Sequence, residues 1–443
     1  MQRATERVLA FTSLALMIGG VGVASRRVHA EAFTPSAPLH VTVGAAQGAW
    51  SGERGDAART GRARTLPQAP SRLWTWSRPG ARLEWSPVVL DGAGDVVAVY
   101  TSTVGGAATT MVRLHGSDHG EASELWSAKL GTDIPATAPI VLADGAIAIA
   151  LRHSQIVIVE PSGGLRARAT VSTGDSSVVA IGALATGGLV VSLEGSLHAL
   201  NARGDAVQSL AANVTTAIAS RRDGTIVAVD TTGALVAWTP GTRPTTIGAL
   251  LLTSAATGSV AVDACVGGLA IDEPLAGSTA HARALCSARG KAQVVALDLV
   301  DGSRQVVVSR TLLSSRAGIA VGEHGETVVV TSTGGVATID RGGAETFAYD
   351  PLTALGVTNP DAGAIYGLGG EGSPLIDSAS TIAFTNTDGV FIAAPSRTPR
   401  LVTRCSGGVS ATGQSVASAG EGRVVVACGE GRIDLFGDTP ATP

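Results

Sequence analysis

A short strand–turn–strand unit recurs along this chain and limits what it can fold into. Its clearest copy runs from Asp223 to Trp238: a turn at Asp223-Gly224, a β-branched run, a second turn at Thr232-Gly233, then another apolar run. Tight hairpin turns need positive φ, which glycine adopts without steric cost. Relatives of the unit open at Gly94, Gly145, Gly188, Gly325, Ser380 and Gly422, and several carry a second turn at Gly195, Gly335, Gly389 or Gly431. Successive copies lie about 36 to 55 residues apart with one double gap, a period that means a solenoid, a propeller or an array. Strand–turn–strand content without helical periodicity selects the propeller.

Between Trp238 and His324 the pattern blurs. Ala264–Ile271, Arg283–Ser287, Ala292–Leu299 and Arg304–Val308 read as the four strands of one blade, with Asp272–His281 as a longer loop. Counting this unit gives an all-β propeller of eight four-stranded blades. A sevenfold ring stays open, because the units holding Ala107–Lys129 and Phe347–Glu371 carry insertions. A ring must also close, or an edge strand is left ready to pair with another chain. The C-terminal unit offers three strands, Gln414–Ser418, Arg423–Ala427 and Arg432–Phe436. The missing outer strand is Arg72–Ser77, so Leu73, Trp74 and Trp76 are the expected closure residues, with Trp74 or Trp76 against the C-terminal hairpin.

The chain has 443 residues, 57 of them glycine, with 45% apolar and 15% charged residues, enough apolar content for a sizeable core and not a disordered composition. A net charge of −4 gives no electrostatic affinity for nucleic acid or anionic lipid. The N-terminus reads as a secretory signal. Arg3 and Arg7 precede the apolar run Leu9–Ala24, and Val28-His29-Ala30 offers small residues where a signal peptidase reads. Arg26-Arg27 departs from that pattern and keeps an uncleaved anchor as the alternative. The organisation expected is a signal at 1–30, an extended leader at 31–70 and the propeller at 71–438, in a periplasmic or secreted protein. No later segment is long and apolar enough to span a bilayer, so no membrane span is expected in the mature chain. Four cysteines in an exported chain permit two disulfides in three connectivities. Sequence neighbours, Cys265–Cys286 and Cys405–Cys428, are favoured, the first joining adjacent strands of one hairpin. Four buried thiols are the alternative.

These residues resemble the bacterial propellers with PQQ-type repeats, the quinoprotein-alcohol-dehydrogenase-like superfamily. Its members commonly open with a tryptophan, a Gly-Asp and an Arg-Thr-Gly, here Trp50, Gly55-Asp56 and Arg59-Thr60-Gly61. A Leu-Trp-x-Trp strand follows at Leu73–Trp76, then Ser86-Pro87-Val88-Val89, and the repeat itself is matched at 223–238. The resemblance implies a propeller over about residues 50–438, but not bound PQQ. Dehydrogenases of the superfamily are longer and carry an adjacent cysteine pair and a calcium site, and no two cysteines here are adjacent. The resemblance is therefore to the non-catalytic, BamB-like branch. The lipid-anchored BamB-like subunit of the outer-membrane assembly machinery carries an anchoring cysteine that this chain lacks, so the likeness extends to its fold and not to its role.

Local motifs carry little chemistry. His115, Asp118 and His119 could ligate zinc, but they sit in a Gly-rich insertion with no fourth ligand nearby, and a solvated loop explains them better. Asp91, Gly94 and Asp95 lack the spacing of a calcium loop and read as a hairpin turn. Gly367–Gly372 is followed by Ser373-Pro374 and then a strand, where a phosphate loop needs a helix. His153, His198, His281 and His324 are scattered among the repeats. No catalytic, cofactor or metal residue is assigned. The expectation is an exported, monomeric, non-enzymatic scaffold without a cofactor, binding a protein or small molecule at one face. Its longest loops are placed at Thr101–Thr110, Asp272–His281 and Pro351–Glu371. A quinoprotein-type dehydrogenase or a hydrolase on the same ring is the alternative, favoured by a carboxylate cluster at the channel mouth.

Overall fold

The computed structural model describes residues 61–438, apart from 84, 86, 91–94, 103–107, 117–119, 173–176, 185, 194, 212–213, 215–217, 222, 251–264, 266–267, 274–279, 289–290, 311–317, 352–371, 387, 396, 406–414 and 421. The expected signal and most of the expected leader lie outside the described residues, and so do many residues of the three longest loops.

Eight antiparallel sheets follow one another along the chain, each built mainly of four strands. The outer three strands of blade 1 are Val96–Ser102, Ala108–His115 and Ser123–Gly131, while its inner edge is split into Ala81–Leu83 and Val88–Val89. Blades 2, 3 and 4 begin at Ile140, Val178 and Ala219; blades 5, 6, 7 and 8 begin at Leu269, Ile319, Leu375 and Ser415. Innermost strands of successive blades neighbour one another from blade 2 through blade 8 and on to blade 1. The apolar clusters lie between blades, so that Val97 and Val99 of blade 1 pack with Ile147 and Ile149 of blade 2. The second strands are largely buried on both faces and read as near-continuous apolar runs such as Ile147–Leu151, whereas outer strands such as Leu165–Thr170 mix exposed and half-buried residues.

Counting strands outward from the axis, the first–second and third–fourth turns share one end of the ring, here the lower face. The second–third turns and the connections between blades share the upper face.

Pro70–Ser77 is the outer strand of blade 8, antiparallel to Arg432–Asp438 in the register Pro70↔Asp438 to Ser77↔Arg432. Leu73, Trp74 and Trp76 are all buried in one cluster with Ile433, Leu435 and Phe436 of the C-terminal hairpin. Trp76 also reaches blade 1, where its Nε1 donates to Glu124 at 3.0 Å and its ring lies 6.0 Å from that of Tyr100. The insertion in blade 1 has a use: Gly120–Glu121 pairs in parallel with Trp74-Thr75 and covers part of the outer edge of the closing strand. That shields an edge open to intermolecular pairing.

A further regularity has no signature in the repeats. In every blade the outer strand carries an extra residue opposite its neighbour, and in blade 1 a second one, Leu130, lies near the other end of the strand. The extra residues shared by all blades are Leu73, Leu125, Arg166, Val207, Ile247, Val307, Thr346 and Val402. Such bulges sharpen the local twist and interrupt the edge ladder. The eight outer edges are thereby poor templates for edge-to-edge pairing.

Both disulfides are present, Cys265–Cys286 and Cys405–Cys428. Cys265 lies just before the innermost strand of blade 5, which is Leu269–Asp272 and not Ala264–Ile271, so the bond joins a between-blade connection to the second strand. Cys405 follows the outer strand of blade 7, and Cys428 ends the second strand of blade 8. Both bonds therefore staple upper-face connections. With about twenty residues in each closed loop, each bond contributes about 3 kcal/mol through the unfolded state.

Trp74 and Trp76 are the largest side chains at the closure, and Trp74 is the more deeply buried at 1% exposed. Trp74→Ala is expected to cost about 3–5 kcal/mol. Urea denaturation measures that loss, and a change below about 1 kcal/mol would remove Trp74 from the closing core.

Candidate functional site

The leader does not stop short of the ring. Arg62 forms a parallel bridge with Ile376 on the innermost strand of blade 7, Ala63 N donates to Ile376 O at 2.8 Å, and Ile376 N donates to Gly61 O at 3.0 Å. The free edge of an innermost strand faces the ring axis, so Gly61–Ala63 lies on the channel side. Gly61 sits at φ +67°, and a Cβ there would come within 2.9 Å of Ala320 Cβ and of Pro374 O, so only glycine fits between blades 6 and 7. The segment then leaves along the lower face. Leu66 N donates to Asp377 at 2.9 Å, Thr65 Oγ1 accepts from Gly422 N at 2.7 Å, and Ala69 N donates to Asp438 at 2.6 Å before the closing strand begins.

Arg62 is the centre of the lower mouth. Its Nε donates to Val321 O at 2.8 Å, and its Nη2 donates to Gly322 O at 2.8 Å and to Asp272 Oδ1 at 2.7 Å. One side chain on a segment paired with blade 7 thus grips blades 6 and 5. Asp272 Oδ2 faces Arg283 at 3.5 Å, and Arg283 donates to Thr327 Oγ1 in blade 6. Burial pushes the Arg283 guanidinium below the ordinary arginine value; Asp272 opposes this, Arg341 and Arg62 add to it, and Glu326 opposes it. Farther round, Arg221 of blade 4 donates to Glu273 of blade 5 at 2.9 Å. Carboxylates do gather here, but both oxygens of Asp272 are taken by guanidinium groups.

Between blades 6 and 7 the lower face opens into a cleft of about 350 Å³. Its polar wall holds His324, Glu326, Asp340, Arg341 and Ser380, and Phe347, Ile382 and Pro395 supply apolar surface. Glu326 is 7% exposed; its Oε2 accepts from His324 N at 2.9 Å and its Oε1 from Ser380 Oγ at 3.0 Å.

The residues singled out in the sequence are scattered. Asp118 and His119, like Asp91, Gly94 and Gly367–Glu371, lie outside the described residues. His115 Nδ1 meets buried Asp95 Oδ1 at 2.6 Å, and Arg113 also binds Asp95, so the three tie adjacent strands of blade 1 together. His198 stands between Ser196 at 2.7 Å and Ser209 at 2.8 Å, and burial lowers the proton affinity of its ring. His153 faces Asp133 at 3.3 Å. Sequence reasoning missed Arg62, Glu326 and Ser380. Ser380 was the one with a signal, a serine in the turn place that glycine fills in sister blades.

Arg432 Nη2 lies 3.3 Å from Cys428 Sγ and donates to Arg404 O. A cation beside a sulfur stabilises the thiolate and makes it a better leaving group in thiol–disulfide exchange.

No protein-family profile and no curated protein sequence matches the chain. Solved structures do match in fold. BamB from Moraxella catarrhalis superposes with a TM-score of 0.59 at 13% identity, covering 83% of this chain and all of that one. The C-terminal WD40 domain of Sif2 gives 0.56 at 12% identity over 85% of this chain and all of that one. A quinohemoprotein alcohol dehydrogenase from Pseudomonas putida HK5 gives 0.59 at 8% identity over 89% of this chain and 82% of that one. At such identities the likeness is one of fold: a β-propeller of the kind these proteins share.

Two outcomes follow from these contacts. Arg62→Met is expected to speed hydrogen exchange in 61–69 by about tenfold or more while the blades stay protected, since a charge-assisted bond is worth about 1.5–3 kcal/mol; unchanged exchange would show the strap is held without it. In a stepwise dithiol titration read by alkylation and peptide mass, Cys405–Cys428 should open before Cys265–Cys286, and Arg432→Gln should abolish that order. Simultaneous opening in the parent protein would contradict the role given to Arg432.

Proposed function

We propose that this chain is an exported, non-enzymatic β-propeller that serves as a binding scaffold for a partner protein. The observation that carries the reading is the filled lower mouth. The chain's own Gly61–Ala63 pairs on the channel side of blade 7, and Arg62 engages Asp272 and two backbone carbonyls there. A mouth lined by groups already bound to one another supports a structural use of those charges rather than turnover. The BamB and WD40 likenesses support a ring whose faces carry function, with the identity of the partner left to its own chemistry. Two disulfides suit an oxidising compartment, and the Arg3–Ala30 segment suits delivery to it. No helix among the described residues is long and apolar enough to cross a membrane.

The test has two arms. Intact mass of protein recovered from the cell envelope or medium should correspond to a chain beginning at Glu31; retention of Met1 would contradict the cleaved signal. Purified protein supplied with PQQ, calcium and a panel of primary alcohols should show no dye reduction above the protein-free control. Calcium-dependent turnover would overturn the non-enzymatic reading in favour of a quinoprotein.

A further inference from the structure

We propose that the cleft between blades 6 and 7 is a binding site for a small zwitterion, an amino-acid-sized molecule with an ammonium group, a carboxylate and an apolar side chain. The cleft lies on the lower face outside the channel mouth, and the inference does not depend on which protein the faces hold.

The repeat supplies an internal control. In blades 2, 3, 4 and 6 the turn between the first two strands ends in a glycine at positive φ: Gly145 at 83°, Gly187 at 88°, Gly224 at 84° and Gly325 at 80°. In blade 7 the corresponding residue is Ser380 at φ 57°. A side chain in this conformation is sterically penalised, and a residue held there at a cleft wall points to a use for that side chain. Its hydroxyl crosses the blade boundary and donates to Glu326 Oε1 at 3.0 Å.

Glu326 is the second departure. The residue after the turn is Ala146, Gly188, Thr225 or Thr381 in blades 2, 3, 4 and 7, and a glutamate in blade 6. Its buried carboxylate accepts from one backbone N–H and one hydroxyl, which leaves acceptor capacity unused. Arg283 acts on it electrostatically, but that guanidinium is committed to Asp272 and Thr327, and no arginine, lysine or histidine among the described residues reaches Glu326 at ion-pair distance. A buried carboxylate is costly unless a cation meets it.

Arg341 is the complementary feature. It is exposed, lies against Gly325 of the same turn, lines the same cleft, and has no hydrogen-bonded partner among the described residues. Asp340 is already engaged, its Oδ1 accepting from Ala344 N at 2.8 Å. The cleft therefore offers one buried anion, one unpaired cation nearer the rim, and apolar surface from Phe347, Ile382 and Pro395. At about 350 Å³ it falls in the range of small-molecule sites. A ligand with its ammonium on Glu326, its carboxylate on Arg341 and its side chain on the apolar wall satisfies all three.

The probes are L-leucine, 3-methylbutylamine, which lacks the carboxylate, and 4-methylpentanoate, which lacks the ammonium. Titration calorimetry and protein NMR on the full mature chain should show L-leucine binding at least about tenfold more tightly than either analogue, the scale of one charge-assisted bond. Glu326→Gln should weaken L-leucine about tenfold or more while leaving 4-methylpentanoate unchanged, and Arg341→Gln should weaken L-leucine similarly while leaving 3-methylbutylamine unchanged. Ser380→Gly restores the residue the sister blades carry, so it keeps the fold; it should weaken L-leucine and raise the melting temperature. Equal binding of all three probes, no binding of any at millimolar concentration, or full L-leucine affinity in Glu326→Gln would overturn the proposal.

Discussion

The antiparallel ladder between Pro70–Ser77 and Arg432–Asp438 is the interaction on which the rest of the ring depends. Without it blade 8 would end at a three-stranded edge, and the cores on either side of it would open to water. The ladder joins residues more than 350 positions apart, and loop-closure entropy must be met before those contacts form. Trp74 and Trp76 offset that cost with the largest apolar surfaces at the seam. Gly120–Glu121 covers part of the closing strand, so its outer edge is not left wholly bare.

The segment before that strand turns a seam into a strap. From Gly61 to Ala69 it touches blades 7, 6 and 5 through Arg62, blade 7 again through Leu66, and blade 8 through Thr65 and Ala69. The charged residues of the lower mouth are organised around this strap, which is why they support a structural reading. Staples on the upper face come from the disulfides instead, at the connections into blades 5 and 8. The two faces are thus held by different chemistry, ionic and backbone bonds below and covalent bonds above.

Much of this was legible in the sequence, for a physical reason. Hairpin turns demand glycine or a small substitute, and inner strands demand uninterrupted apolar runs, so the turns at Gly145, Gly224, Gly325 and Gly431 set the count of eight. The closing strand was legible because Leu73-Trp74-Thr75-Trp76 is too apolar to stand alone. Other features had no local signal. A bulge in an outer strand is a mismatch of register between two strands, and Leu125, Val207 and Thr346 look like ordinary strand residues until the partner is known. Arg62 sits in a stretch without alternation, and its partners are backbone carbonyls about 260 residues away. Glu326 and Ser380 stand out only when the blades are aligned on one another, because each is ordinary for a turn and unusual for this turn.

The central claim is that Pro70–Ser77 and Arg432–Asp438 are one cooperative unit. Native-state hydrogen exchange on the full chain, resolved by peptide, tests it most directly. The amides of Pro70–Ser77 that pair with blade 8 should exchange with the same opening free energy as those of Arg432–Asp438, and both should be lost together as denaturant is raised. Rapid exchange throughout 70–77 while 432–438 stays protected would mean that the ring stands without its N-terminal strand, and would contradict the account.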